Sequence, residues 1–156
     1  MRRIRICLVL FMVGLALSGL TAFPLVHETA LLTRIVAHIA PGTSLFAWVD
    51  QVHRALVATS IQYPFLAYGT DWLAFAHLAL TVLFLGPLRD PIRNRWVIEF
   101  GLIACAGVIP LALIAGPLRG IPLFWRLGDC SFGILGAIPL LIALRDVKRI
   151  EAQRAA

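Results

Sequence analysis

Charge is what this chain has least of. Only 14% of its 156 residues are Asp, Glu, Lys or Arg, against about a quarter in an ordinary soluble domain. Hydrophobic residues make up 60%, and the mean hydropathy is +0.90. That combination excludes an ordinary water-soluble domain. Cysteine is scarce as well. Cys7, Cys105 and Cys130 lie in or beside apolar runs and form no C-x-x-C pair. A disulfide framework, a zinc knuckle and a thioredoxin-type site therefore lack support, and buried cysteines commonly act as small apolar residues. There is no Gly-rich phosphate loop, H-E-x-x-H, G-x-S-x-G or recognisable pair of haem ligands.

What the chain does have is four long apolar runs, at about 4–23, 69–88, 96–118 and 128–144. A helix rises about 1.5 Å per residue and the hydrocarbon layer of a bilayer is about 30 Å thick, so about 20 apolar residues make one crossing. The expected fold is all-α: a polytopic membrane protein with four transmembrane helices. Residues 1–156 are expected to form a single membrane domain, with no room for a separate soluble one.

The net charge of +6 could suggest nucleic acid, but its distribution argues otherwise. Ten basic residues fall on one side of the expected membrane: Arg2, Arg3, Arg5, Arg89, Arg93, Arg95, Arg145, Lys148, Arg149 and Arg154. Four fall on the other: Arg34, Arg54, Arg119 and Arg126. Basic residues favour the cytoplasmic side, which places both termini there. The counter-charge expected is anionic lipid, and nucleic acid is not an expected partner. The first run also has the basic start and apolar core of a signal peptide. Its cleavage site, Leu20-Thr21-Ala22, is poor because Leu20 is large where a small residue is wanted. A retained signal anchor is expected. Trp72, Trp96 and Trp125 fall at ends of runs, where amphipathic rings prefer to lie.

Residues 24–68 form the one sizeable stretch between spans, placed on the outer side. They read as two short amphipathic helices divided by Pro41-Gly42. Leu32, Ile35, Val36 and Ile39 recur at helical spacing in the first. Leu45, Phe46, Val49, Val52 and Leu56 do so in the second, where Asp50 and Arg54 form an i,i+4 pair. Such helices can lie on the bilayer surface or cap the bundle, with Trp48 as an anchor, or can dock a partner. Gly86-Pro87-Leu88-Arg89 and the near-copy Gly116-Pro117-Leu118-Arg119 close the second and third spans, with glycine suited to a helix C-cap. Gly14 with Ser18, and Gly133 with Ala137, have the four-residue spacing that lets helices approach closely in lipid. Pro110 and Pro139 fall in mid-span, where two bent helices could open a cavity or simply pack.

Ionisable groups near the apolar layer are costly and raise a functional question. Asp71, Arg119, Arg126 and Asp129 are candidates for an outer polar cluster. His77 and Glu99 are candidates for an inner or proton site, with Arg89, Arg93 or Arg145 within reach of Glu99. Asp71, Glu99 and Asp129 each fall in the first turn of their expected helix. There a carboxylate can accept unsatisfied backbone N–H groups, so these acids read first as caps and interhelical ties, ahead of a substrate or proton role. Asp129, Gly133, Gly136 and Leu140 form a smooth stripe suited to another helix, and Thr70, Ala74, His77 and Thr81 share one face. His77 lies about 9 Å deeper than Asp71 and on another face, so the two form no dyad. A histidine there can carry protons, or rest neutral against a carbonyl or hydroxyl such as that of Thr81. His27 and His38, eleven residues apart, would stand about 16 Å apart on one helix and cannot share a metal there. No cofactor and no metal site is expected. Ser131 lacks a nearby histidine in sequence, so a hydrolase has little support.

The stretch from Tyr63 to Leu144 resembles a family of small, uncharacterised bacterial four-span membrane proteins. The resemblance is carried by YPFLAYGTDWLAFAH, GPLRDPIRNRWVIEFG and FWRLGDCSFGILGAIPLL, and less distinctly by LSGLTAFPL. It implies a multi-pass protein of the bacterial inner membrane and brings no activity. Three functions stay open. One is a non-enzymatic accessory or scaffold component that binds a membrane-protein partner or forms a homo-oligomer. Another is a membrane-embedded enzyme or lipid-handling protein using the outer cluster. The last is a proton- or solute-conducting bundle using His77 and Glu99, which with four short spans would need an oligomer.

Overall fold

The computed structural model describes residues 1–155, and among these every regular element is helical. The order is α1 (Arg2–Ala22), α2 (Leu25–Ile39), α3 (Ser44–Gln62), a 3-10 turn (Pro64–Leu66), α4 (Ala67–Leu83), α5 (Leu85–Arg89), α6 (Arg95–Leu118) and α7 (Leu123–Ala155). Four stretches are long and apolar enough to cross a membrane: Arg2–Ala22, Pro64–Arg89, Arg95–Leu118 and Leu123–Arg154. They match the four apolar runs. The chain forms two compact units: Met1–Leu15 with the chain from Leu80 onward, and Ala16–Ala79.

The first unit is built on the α6–α7 hairpin. Gly120, at φ +69°, reverses the chain between these helices. Its N–H bonds the carbonyl of Pro117 at 3.1 Å, and Ile121 N–H bonds Gly116 at 3.0 Å, which closes the last carbonyls of α6. The left-handed cap is therefore Gly120. Gly116, which the repeated Gly-Pro motif nominates, is still inside the helix, as Gly86 is inside α5. The core gathers Ile4, Cys7 and Leu8 of α1, Phe84 between α4 and α5, Val97, Ile98 and Cys105 of α6, and Leu140, Ala143 and Val147 of α7. Phe11 packs on Phe84 with ring centroids 4.7 Å apart.

Glycines set how closely these helices approach. A Cβ on Gly133 would stand 2.5 Å from the carbonyl oxygen of Cys105, and one on Gly136 would stand 3.1 Å from its Sγ. One on Gly101 would lie 2.7 Å from the Phe84 ring and 2.8 Å from Leu140. The stripe Gly133–Gly136–Leu140 does face another helix, and that helix is α6. Gly14 differs: a Cβ there would meet nothing within 4 Å, so its pairing with Ser18 marks no close approach. Pro110 and Pro139 lie inside continuous helices and break neither. α7 runs well beyond the apolar stretch 128–144 at both ends. Its tail from Arg145 is charged, but nothing in that tail stops a helix, and Val147 is fully buried there.

The second unit holds the α2–α3 hairpin, which turns at Gly42 (φ +72°) after Pro41, as the sequence predicts. Thr43 caps α3: its hydroxyl accepts from Phe46 N–H at 3.3 Å and donates to the Ala40 carbonyl at 2.7 Å. Val36 of α2 and Val49 of α3 are buried, and Thr29 Oγ1 meets His53 Nδ1 at 3.1 Å. The Asp50–Arg54 pair forms at 3.0 Å. The predicted stripe of α2 divides. Val36 turns inward, while Ile35 and Ile39 line up with Leu31 on the exposed side. Elsewhere in this unit, a Cβ on Gly19 of α1 would stand 2.9 Å from the Ala74 carbonyl and 3.0 Å from His77 Cβ. The Ala74–His77 face of α4 is therefore a packing face.

Candidate functional site

Titratable groups collect at both ends of the α6–α7 hairpin. At the end where α6 begins, a tight turn prepares the helix. Asp90 Oδ1 accepts from Arg93 N–H at 3.1 Å, and the Asn94 side-chain amide donates to the carbonyls of Asp90 (2.9 Å) and Gly86 (3.2 Å). Arg95 follows as the hub. Its Nε donates to Glu99 at 3.0 Å and its Nη1 to Glu151 of α7 at 2.9 Å. Arg3 of α1 reaches Asp146 of α7 at 3.5 Å. One guanidinium thus holds a carboxylate of its own helix and one 56 residues further along. These groups are partly exposed, and solvent screening leaves such pairs weak. They fix the register of α1, α6 and α7 more than they stabilise them.

Two sequence expectations change here. The partner of Glu99 is Arg95, not Arg89, Arg93 or Arg145; Arg89 and Arg93 are exposed, with no ion pair among the described residues. The i,i+4 spacing of Arg95 and Glu99 was a usable signal, whereas Glu151 had none. In addition, none of Asp71, Glu99 and Asp129 lies in a first turn. Their helices start earlier than the apolar runs, at Ala67, Arg95 and Leu123. The free N–H groups are already behind them, so these carboxylates cap nothing. Glu99 is a tie through Arg95.

His77 belongs to the second unit, and Glu99, Arg89 and Arg93 to the first. Its Nδ1 lies 2.8 Å from the carbonyl oxygen of Leu73, one turn back. A carbonyl only accepts, so Nδ1 carries the proton in this bond. The carbonyl partner is therefore found, with Leu73 in that role.

At the other end of the hairpin, Arg119 and Asp129 line one cleft of about 230 Å³ with Val108, Leu111, Ala112, Ala115, Gly116 and Ile121. Arg126 lies alongside. Its aliphatic stem, Cγ and Cδ, occupies the space a side chain on Gly116 would need. Its Nε is buried with no hydrogen-bond partner among the described residues. Neither Arg119 nor Asp129 has an ion-pair partner among them. Three of the four outer-cluster candidates thus belong to this end, and Asp71 belongs to the second unit. The seat that Gly116 offers Arg126 was not readable from sequence, where the same glycine suggested a cap. Neither mid-span proline lines the cleft.

Among the described residues, no three His, Cys, Asp or Glu side chains gather as metal ligands. Ser131 donates to the carbonyl of Gly128 at 2.6 Å. The fold and its two charged ends define an all-helical chain with four helices suited to cross a bilayer. Compared with known proteins, the chain matches no family model, no curated protein and no solved structure.

Proposed function

We propose that the chain is a multi-pass protein of the bacterial inner membrane, both termini cytoplasmic, acting as a non-enzymatic accessory or scaffold component of a membrane assembly. The observation that carries this reading is the use made of its carboxylates. Glu99 and Glu151 share Arg95, Asp146 meets Arg3, Asp50 meets Arg54, and Asp90 shapes a turn. Each of these is engaged in holding helices and turns together. The orientation rests on the ten-to-four division of basic residues. The apolar exterior of the four candidate spans supports insertion. Ile103, Ile114, Leu118, Phe132 and Leu135 all point outward, and no polar or charged residue is buried among the described residues.

The partner-facing element in this reading is α2. Leu31, Ile35 and Ile39 stand 59%, 47% and 73% exposed at four-residue spacing, about 100° round the helix from the buried Val36. The test is purification in mild detergent with mass spectrometry, beside a variant carrying aspartate at these three positions. A protein that co-elutes at fixed stoichiometry with the wild type, and is lost from the folded variant, is the expected result. A stoichiometric small molecule that the protein turns over would overturn it. The cleft at Arg119 and Asp129 favours a second reading, a lipid-handling site.

A further inference from the structure

The cleft between the end of α6 and the start of α7 has two chemically distinct parts. Its floor is a single stripe of α6: Val108, Leu111, Ala112 and Ala115 recur at helical spacing and lead to Arg119. Eleven residues of helix extend about 16 Å, close to the roughly 15 Å depth of one leaflet, half of the hydrocarbon layer. The stripe is made of small and aliphatic side chains, and the cleft is open at the side, where Leu111 is 67% exposed. Its polar part is one cation and one anion, Arg119 and Asp129, that do not pair with each other. Two opposite charges lining one cleft, each without an ion-pair partner, are matched by a ligand that carries both charges itself.

An apolar track about 10 Å long that leads to an uncommitted cation and anion fits one class of molecule that a membrane supplies in quantity. We propose that this cleft holds an aminophospholipid, with one acyl chain along Val108–Ala115, the phosphodiester on Arg119 and the primary ammonium on Asp129. The guanidinium offers the planar donor pair that a phosphate oxygen accepts. The carboxylate accepts N–H donors of an ammonium, which a trimethylated headgroup of the same charge lacks. Arg126 lies beside the cleft with its stem fixed on Gly116 and adds positive charge near the phosphate. The inference deepens the lipid-handling reading and rests on bilayer insertion. It does not depend on a protein partner.

The experiment is reconstitution of the full chain into nanodiscs containing phosphatidylethanolamine, phosphatidylcholine and phosphatidylglycerol in equal parts. Lipids retained after release from the disc are then counted by native mass spectrometry. The wild type should keep one ethanolamine lipid per chain, at least tenfold over the choline lipid. Asp129→Asn should bring that ratio close to one. Arg119→Gln should lower retention of all three lipids. Ala112→Phe, which blocks the track and leaves both charges in place, should do the same. Circular dichroism and elution volume report whether each variant is folded. Equal retention of choline and ethanolamine lipids by the wild type overturns the proposal, as does an unchanged ratio in a folded Asp129→Asn. Failure of the wild type to enter nanodiscs would sink bilayer insertion and this site together, whereas entry without preference sinks the site alone.

Discussion

The two hairpins of this molecule are held by different physics. In α6–α7 the contact is glycine against backbone and sulfur, at Gly133 and Gly136 on Cys105, with apolar side chains turned outward on both helices. In α2–α3 one valine on each helix is buried, a threonine meets a histidine, and the turn is fixed by a capping hydroxyl. Lipid gives helices no hydrophobic reason to associate, so close van der Waals approach must hold them. A hairpin at the edge of water can rely on burial and capping. The contrast is between a hairpin held by close backbone approach and one held by burial and a cap.

The largest test of that contrast is Gly133→Leu. A side chain facing the Cys105 carbonyl must push the helices apart, and overpacking of this kind costs about 1–3 kcal/mol or more. Gly107→Ala, where a Cβ meets nothing within 4 Å, should leave the melting temperature in detergent unchanged or slightly raised. Equal loss in both would break the contrast. Val49→Ala in α3 should follow, at about 2 kcal/mol from lost burial and the space left behind. Its effect should be local, read as faster hydrogen exchange in α2 and α3 with α6 and α7 unmoved. Thr43→Ala removes a helix cap and should cost about 1 kcal/mol, with faster exchange confined to the first turn of α3. The smallest effect belongs to Arg95. A double-mutant cycle of Arg95→Gln with Glu151→Gln should give a coupling weaker than any of the losses above, diminishing with added salt. A coupling that salt leaves unchanged would mean the end of the hairpin is far drier than its exposure suggests.

Much of this was legible because periodicity and turn chemistry are local. The four apolar runs, the Pro41-Gly42 turn, the Asp50–Arg54 pair and the smooth face through Gly133 and Gly136 all depend on residues within a few turns of one another. What was not legible depends on partners or on where helices stop. Hydropathy marks where apolar residues lie, while a helix continues until something ends it. That is why α7 outran its apolar run, and why Asp71, Glu99 and Asp129 left the first turn. Glu151 finds Arg95 across the fold, which spacing cannot reveal. Gly116 looked like a cap because it precedes proline, but Gly120 is the residue that takes the left-handed conformation. The sequence pattern offers four residues for the outer cluster. The structure places three at one end of the hairpin and assigns Asp71 to the other unit.

α7 carries a consequence of its own. Thirty-three unbroken helical residues measure about 50 Å, well over the roughly 30 Å of hydrocarbon they would have to pierce. A rod of that length can lean, or it can stand proud of the surface like a post. Its last eleven residues, from Arg145, hold four cations and two acids, a composition that oil rejects. With the chain inserted as proposed, that end would project into water, as a rigid charged stub that shares one backbone with the lining of the cleft at its opposite end.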